Sequence, residues 1–270
     1  MDRTAELFAD RKKRDQLIET VRICGIDAME SQEHLSRTYK SDGSVLTETD
    51  LRINRRLVAC ITSLYPSAGI VSEEEKTPLR DDRDAYIVID PIDGTDIYSQ
   101  GMPSWCVAVG IMDTNLHPVG AVIFAPRWGI GHTRGMLVTR FPGEEPCMDG
   151  EALPKKNYHY PPKQIAAASD IHHQLNLSGF NGKVRSFGSS ILHALMPAVH
   201  SHIDMALITP CYIWDIAPAH AVIDAMGLEL MLINGSKLDY RDSLHRKKTE
   251  DYAVVGTPEA AAYLLESIGR

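Results

Sequence analysis

The chain has 270 residues, of which 44% are hydrophobic and 24% are charged. A chain of this length buries roughly 70–75% of its unfolded surface, so one large domain or two smaller lobes can form without disulfide or metal staples. Its 28 basic and 36 acidic residues give a formal net charge of −8. This balance provides no general attraction to phosphate backbones or anionic lipid, and it predicts no nucleic-acid partner.

The cysteines and the N-terminal sequence predict a location. The five cysteines are an odd number without CxxC spacing, which argues against a disulfide framework and predicts a reducing compartment. The first 20 residues lack the apolar segment of a secretion signal, and the longest apolar runs, YIVID and GAVIFA, are far shorter than the roughly 18 residues that span a membrane. We therefore expect a cytoplasmic protein with no membrane partner.

The first half of the sequence predicts helices followed by strands. Apolar residues recur at helical intervals over residues 5–29, which predicts one or two helices, and over residues 49–65. Thr49 or Asp50 is expected to cap the helix over 49–65, which Pro66 ends. Short apolar runs bounded by Gly, Pro and Asp then predict strands of one sheet. These runs lie at 69–71, 86–89, 106–112 and 119–125.

The second half alternates strands and helices, which predicts α/β layers. The predicted strands lie at 164–168, 203–208, 228–232 and 253–256, and the predicted helices at 189–200, 215–226 and 258–268. Two basic clusters, 11–14 and 246–248, are interpreted as solvated faces of a helix and a loop.

The segment from Asp90 to Thr95, with the sequence DPIDGT, directly follows the predicted strand 86–89. An Asp-x-x-Asp turn folded by Pro and Gly at a rigid strand end can direct both carboxylates, and a carbonyl between them, at one point. Converging oxygen ligands suit a hard cation such as Mg²⁺. Taken alone, the same segment is also typical of an ordinary turn.

Three further acidic segments accompany it. Glu73–Glu75 follow the apolar run 68–71, the segment 47–50 leads into a helix, and Trp214-Asp215 precede another helix. Each one alone is typical of a solvated patch or a helix cap. Four carboxylate clusters at separate loop positions are nevertheless what an oxygen-ligand site for several metal ions requires.

In order and spacing, these segments resemble the inositol monophosphatase superfamily of metal-dependent, lithium-sensitive phosphatases over nearly the whole chain. The matching segments are KSDGSVLTETD at 40–50, VSEEE at 71–75, IDPIDGTDIYSQGMPSWCVAVGI at 89–111, RSFGSS at 185–190, WDIAPAHAVIDAMG at 214–227 and LDYRDS at 238–243. The resemblance implies an α/β fold, layered as an alternating α-β-α-β-α sandwich of the inositol monophosphatase and fructose-bisphosphatase type. We expect an N-terminal lobe over 1–145, a C-terminal lobe over 146–270 with the substrate wall, a site between them and a homodimer.

The resemblance also implies a set of metal ligands. Glu73, Asp90 and the Ile92 carbonyl would hold a first ion, and Asp90, Asp93 and Asp215 a second. Several carboxylates in one partly desolvated cleft repel one another, so divalent cations are needed to keep them ionised. We expect two or three Mg²⁺ ions, with Mn²⁺ able to substitute.

The catalytic residues implied by the resemblance are Thr95, Asp50 and Glu73. The Thr95 hydroxyl lies in the site, and Asp50 orients Thr95 and the attacking water. Glu74 would lie near an additional, weaker metal, and Lys40 near the site. Two metal ions can polarise the phosphoryl oxygens, activate a water and stabilise the leaving alkoxide.

Other residues are expected to contact the substrate. Backbone amides of Gly94 and Thr95 can take a phosphate oxygen, and Ser189 and Ser190 are expected on the leaving-group side. The histidines, including His193, are expected on the surface or on helix faces without a ligand role.

The sequence leaves the substrate open. Members of the superfamily that act on inositol phosphates carry an acidic residue about seven positions before the WD aspartate, whereas residues 206–213 read ALITPCYI. An apolar wall of Leu207, Ile208 and Ile213 rejects little, so we expect hydrolysis of several small phosphomonoesters without preference for inositol 1-phosphate. Fructose-1,6-bisphosphatase and 3'(2'),5'-bisphosphate nucleotidase activity are alternatives, the latter disfavoured by the short segment 76–84. A degenerate metal-binding scaffold is the non-enzymatic alternative.

Overall fold

The computed structural model describes residues 3–34, 38–39, 45–75, 83–129, 135–241 and 243–268. Within them lie seven α-helices, fourteen β-strands and three short 3₁₀ helices. The α-helices are α1 (Arg3–Leu7), α2 (Arg11–Ser31), α3 (Glu48–Leu64), α4 (Thr95–Ser99), α5 (Ser190–Val199), α6 (Ala217–Ala225) and α7 (Pro258–Ser267). None of the helices in these ranges combines the length and the apolar character needed to cross a bilayer.

A seven-stranded sheet forms most of the N-terminal half. Its strands follow one another in sequence order, and only the first two run parallel. They are β3 (Gly69–Ser72), β4 (Tyr86–Asp93), β5 (Cys106–Met112), β6 (Pro118–Ala125), β7 (Met136–Arg140), β8 (Cys147–Met148) and β9 (Glu151–Ala152), after a small hairpin of β1 (Thr38–Tyr39) and β2 (Val45–Leu46). The boundary expected at residue 145 lies inside this sheet, and the division into two lobes stays a prediction.

A five-stranded sheet follows in the C-terminal half. Its strands are β10 (Gln164–Ala167), β11 (Lys183–Arg185), β12 (Met205–Ile208), β13 (Glu229–Leu232) and β14 (Ala253–Gly256). The order is β11-β10-β12-β14-β13, with β10 parallel to both of its neighbours and β14 antiparallel to both of its own.

Three apolar cores hold the layers together. One lies between α2, α3 and the outer face of the first sheet. The second surrounds α5 and α6, which pack between the two sheets. The third lies between the second sheet and α7. The layers are therefore α-β-α-β-α, and the predicted sandwich is confirmed.

The start of α3 differs from the expected one in a way that matters for the site. Thr47 caps the helix, not Thr49 or Asp50: the Thr47 hydroxyl accepts a hydrogen bond from the Asp50 amide at 3.4 Å, and the Asp50 carboxylate accepts the Thr47 amide at 2.9 Å. This reciprocal capping box satisfies two helix-end donors. It also turns Asp50 inward, where the residue is completely buried.

Both basic clusters depart from the predicted solvated faces at one arginine each. The Arg14 guanidinium bonds to Glu144 at 2.5 Å and lies 5.1 Å from the centre of the Phe141 ring. Arg246 turns back across the molecule to the end of β3. An arginine can cover apolar surface with its stem while its planar head binds acceptors, so a basic run alone does not establish exposure.

Gly25 of α2 gives a test of the first core. A Cβ at this position would overlap the Phe124 ring of β6. Alanine gains about 1 kcal/mol in helix propensity over glycine, whereas overpacking costs about 1–3 kcal/mol. We expect Gly25→Ala to lower the free energy of unfolding, measured by urea denaturation, by about 1 kcal/mol. Phe124→Leu should offset part of that loss in the double variant. A more stable Gly25→Ala protein would contradict this packing.

Candidate active site

Three aspartates converge beside the end of β4. Carboxylate oxygens of Asp90, Asp93 and Asp215 all lie within 4.8 Å of one another. The register of β4 against β5 shifts between Asp90 and Asp93, which is the irregularity that lets one strand end direct two carboxylates to the same place. Asp215 reaches them from the turn before α6, and its carboxylate accepts the Tyr212 amide at 2.7 Å.

Asp90 is the aspartate of the cluster whose charge is least compensated by hydrogen bonds. It is completely buried, and neither of its carboxylate oxygens has a hydrogen-bond partner among the described residues. Burial raises its pKa well above the ordinary value, and the neighbouring Glu73, Asp93 and Asp215 raise it further. A buried carboxylate in such surroundings needs a proton or a cation. The all-oxygen donor set fits a hard divalent cation.

Asp93 is held by the start of α5. Its carboxylate accepts the Ser189 hydroxyl, the Ile191 amide at 2.9 Å and the Ser190 amide at 3.3 Å. Burial raises its pKa to about 7 although these hydrogen bonds lower it. The N-terminus of α5 therefore fixes the orientation of Asp93.

Ser189 does not lie where the sequence analysis put it. It is completely buried, its hydroxyl donates to Asp93, and the same oxygen accepts the Leu192 amide at 3.0 Å as the cap of α5. The expected contact with the leaving group is therefore wrong for Ser189, because no part of its side chain reaches the surface. Ser190 and Gly94 are half-buried at the site, and their substrate contacts stay predictions.

Asp50 of α3 and Thr95 at the start of α4 lie side by side. The Thr95 hydroxyl lies 3.2 Å from Asp50 Oδ1 and 2.9 Å from the Ile92 carbonyl oxygen. Asp50 also accepts the amide and the hydroxyl of Thr47. Burial raises the pKa of Asp50 to about 6, against the lowering effect of its hydrogen bonds. The structure thus brings together Asp50, Thr95 and the Ile92 carbonyl.

The acidic turn, residues 72–75, approaches the same place from β3. The Glu73 amide donates to the Ile89 carbonyl at 3.2 Å, so the parallel pairing of β3 and β4 sets Glu73 beside Asp90. Glu74 is close enough to Asp50 to raise its pKa. Lys40 lies outside the described residues.

The expected substrate wall is incorrect. Leu207 and Ile208 are buried in β12, which has helices on both faces, and Ile213 is buried in the core around α5 and α6. The half-buried residues in that stretch are Thr209, Pro210 and Tyr212. The helix after Asp215 begins at Ala217, and no side chain caps it, so Asp215 does not have the capping role that its position suggested.

Two residues of the site were missed by the sequence analysis. Thr47 begins the capping box TETD, a signal that the sequence does contain. His193 was expected on a surface or helix face, yet it is buried in α5, and its Nε2 accepts the Phe187 amide at 2.8 Å. Burial lowers its pKa to about 4, so it remains a neutral acceptor that holds the turn before Ser189.

The chain that forms this sandwich and its buried acidic cluster belongs to a family of phosphatases. The sequence model described as "Inositol monophosphatase family" matches residues 14–253, and the chain belongs to that family. A 3'(2'),5'-bisphosphate nucleotidase CysQ of Buchnera aphidicola is 24% identical over 241 residues, which cover 85% of this chain and 88% of that protein. The predicted superfamily and the predicted phosphoric ester hydrolase are confirmed.

Solved structures agree with the fold. The LiCl-soaked inhibitory complex of staphylococcal inositol monophosphatase-1 superposes with a TM-score of 0.78 at 16% identity, over 94% of either chain. An IMPase/NADP phosphatase complexed with Mg²⁺ and phosphate gives a TM-score of 0.74 at 15% identity, over 90% of this chain and 89% of that one. The α-β-α-β-α architecture is therefore a known phosphatase fold.

Ser189→Ala separates a positioning role from substrate contact. Loss of the hydrogen bond to Asp93 should lower kcat about tenfold with KM nearly unchanged, since hydrogen bonds to charged groups contribute about 1.5–3 kcal/mol. Loss of the helix cap should also cost about 1 kcal/mol of stability. Steady-state kinetics at saturating Mg²⁺ measure the first effect and urea denaturation the second. A raised KM with unchanged kcat would instead mean that Ser189 touches the substrate.

Proposed function

We propose that this phosphatase hydrolyses small phosphomonoesters in a Mg²⁺-dependent reaction that uses two metal ions. The observation that carries the proposal is Asp90: a buried carboxylate without a hydrogen-bond partner among the described residues, within 4.8 Å of two other carboxylates. Only a cation or protonation stabilises such a group. The IMPase/NADP phosphatase complexed with Mg²⁺ and phosphate shares the fold.

The residues present fit such ions. Glu73, Asp90 and the Ile92 carbonyl would hold one ion, and Asp90, Asp93 and Asp215 the other, with Glu74 near a third and Mn²⁺ able to replace Mg²⁺. Bound there, the ions would withdraw charge from the phosphoryl oxygens, acidify a water and stabilise the leaving alkoxide. The lithium-inhibited staphylococcal relative shares this fold, and we propose lithium sensitivity here too.

Thr95 and Asp50 act on the attacking water. The Thr95 hydroxyl has one proton, which it donates to Asp50 or to the Ile92 carbonyl. Its lone pairs then accept a hydrogen bond from a water and orient that water toward the phosphorus. Asp50, which is fixed by Thr47 at the start of α3, takes the hydroxyl proton of Thr95 while the Thr95 oxygen takes a proton from the attacking water, so that one proton moves from water to Asp50. Backbone amides of Gly94 and Thr95 bind a phosphate oxygen.

A second candidate is hydrolysis of a 3'(2'),5'-bisphosphate nucleotide. Tyr212 stacks on Trp214 with 4.8 Å between ring centroids, and the Lys248 ammonium lies 5.3 Å from the Tyr212 ring centre. This aromatic pair and its cation lie beside Asp215, where a stacked base and a second phosphate would find partners. The CysQ relative carries the same activity in its name. The second phosphate of fructose 1,6-bisphosphate could also bind the Lys248 ammonium, but this substrate has no base to stack on the aromatic rings.

Asp93→Asn tests the metal requirement. The variant should lose about 10²–10³-fold or more in kcat, because a misplaced cation no longer stabilises charge in the transition state. Wild-type activity should vanish on chelation and return with Mg²⁺ or Mn²⁺. Asp96→Asn, an exposed carboxylate three positions away, is the matched control and should keep its activity. Phosphate release by a chelated enzyme would contradict the proposal.

A substrate panel tests the substrate class. Inositol 1-phosphate, sugar phosphates, fructose 1,6-bisphosphate and a 3',5'-bisphosphate nucleotide should be compared by kcat/KM with the wild type and with Lys248→Ala. Equal turnover of several monoesters supports the broad phosphatase, whereas a preference for the nucleotide that Lys248→Ala removes supports the second candidate. Metal binding without turnover of any ester would favour the scaffold.

A double-mutant cycle tests the pair that orients the water. Thr95→Ala and Asp50→Asn should each lower kcat by about 10²-fold, as expected for a proton-transfer group, with little change in KM. The double variant should cost clearly less than the sum of the two, because both act on the same proton. Additive losses in kcat would show that the two residues do not act as a unit. Thermal unfolding of Asp50→Asn controls for damage to the cap of α3.

Location and assembly stay predictions. All five cysteines lie in the described residues and are free thiols, three of them buried. Free thiols favour the reducing, cytoplasmic compartment expected from the sequence. The expected homodimer is checked by light scattering in solution.

A further inference from the structure

Arg246 connects the two ends of the site. Its Nη1 donates to the Ser72 carbonyl at 2.7 Å and to the Glu75 carbonyl at 3.3 Å, and its Nη2 donates to the Glu73 carbonyl. Three carbonyl oxygens of the acidic turn are therefore bound by one guanidinium, which comes from a residue 174 positions away from Ser72. A planar fork with several donors suits this arrangement.

The same guanidinium covers the aromatic ring next to Asp215. Its Cζ lies 4.7 Å from the centre of the Trp214 ring, within the range of a cation–π contact. Trp214 is itself buried, so its position fixes the turn that carries Asp215. One side chain thus contacts the segment of Glu73 and the segment of Asp215 at the same time.

Contacts from the first half of the chain also hold the acidic turn. The Ser72 hydroxyl donates to Asn54 of α3 at 2.5 Å, and the Glu73 amide donates to Ile89 of β4. Both of these supports belong to the first half of the chain. Arg246 links the turn to the C-terminal half that supplies Asp215.

The backbone of Arg246 has an unusual conformation that its contacts maintain. Its φ is +61°, in the left-handed region that a bulky residue rarely adopts. Such conformations persist where the surrounding contacts determine them. The Arg246 amide donates to the Ser243 carbonyl at 3.1 Å, which keeps the loop in the turn that sends the guanidinium inward.

We propose that Arg246 is a positioning residue that sets the metal affinity of the site by fixing the acidic turn against Trp214 and Asp215. The inference rests on the proposed function, since it assigns Glu73 and Asp215 to the metal ions. Groups that orient metal ligands without touching the metal typically contribute 10–100-fold to affinity. Lysine has no fork and reaches fewer carbonyls, so it replaces Arg246 only in part.

Direct metal titration tests the assignment without any substrate. Mn²⁺ is titrated into the metal-free full chain and followed by calorimetry. We expect Arg246→Ala to weaken Mn²⁺ binding about tenfold or more, and Arg246→Lys by a smaller factor. Methylguanidinium added to Arg246→Ala should restore part of the affinity. Arg241→Ala, an exposed arginine of the same loop that pairs with Asp239, is the matched control and should bind Mn²⁺ like the wild type.

Kinetics give a second readout that general loss of structure would not produce. In Arg246→Ala the Mg²⁺ concentration for half activation should rise, while KM for the phosphate ester at saturating Mg²⁺ stays within about twofold. Unchanged Mn²⁺ affinity in Arg246→Ala overturns this inference alone. A wild-type protein that binds no Mn²⁺ overturns the proposed function as well. If Arg246→Ala does not fold, wild-type affinity in Arg246→Lys overturns the inference.

Discussion

Mutual repulsion among buried carboxylates is the constraint that organises this molecule. Asp50, Asp90 and Asp93 are buried, and Asp215 lies against the last two. Burial raises the pKa of all three buried groups, so keeping them ionised needs compensation. Asp50 and Asp93 each receive hydrogen bonds from surrounding donors, whereas Asp90 receives none from the described residues. Asp90 is therefore the aspartate whose charge the described hydrogen bonds leave uncompensated, and the proposed cation would compensate it.

The layers bring these groups together from distant parts of the chain. Parallel pairing of β3 and β4 sets Glu73 beside Asp90, and the irregular register after Asp90 turns Asp93 toward α5. The central helices α5 and α6 pack between the sheets. One helix start therefore holds Asp93 while the turn before the other delivers Asp215. Because the acidic groups come from β3, β4 and the turn before α6, the cluster assembles only in the folded sandwich.

Local sequence patterns predicted those groups of the site that lie close together in one segment of the chain. The sequence predicted a strand over 86–89 with Asp90 and Asp93 in a turn after it, whereas β4 continues to Asp93. Both aspartates still lie at the end of this strand, because its register against β5 is irregular between them. The failures came from contacts between segments. The Ser189 hydroxyl donates to Asp93, which lies 96 positions earlier in the chain. No local sequence pattern predicts a hydrogen bond between residues so far apart. Leu207 and Ile208 alternate along β12 toward two different cores, so an apolar run with helices on both faces is a buried strand and not an exposed wall.

Burial of Leu207 and Ile208 leaves the neighbouring loops to supply the proposed substrate contacts, and hydrogen bonds join those loops to the segment of Asp215. The Thr249 amide donates to the Cys211 carbonyl at 2.8 Å, and the Cys211 amide donates to the Thr249 hydroxyl at 3.2 Å. This pair ties the loop of Arg246 and Lys248 to the loop of Tyr212 and Asp215. Within one loop, Arg246 faces the acidic turn while Lys248 faces the Tyr212 ring. We therefore expect substitutions at this pair to shift both loops, and with them both the proposed metal ligands and the proposed substrate contacts.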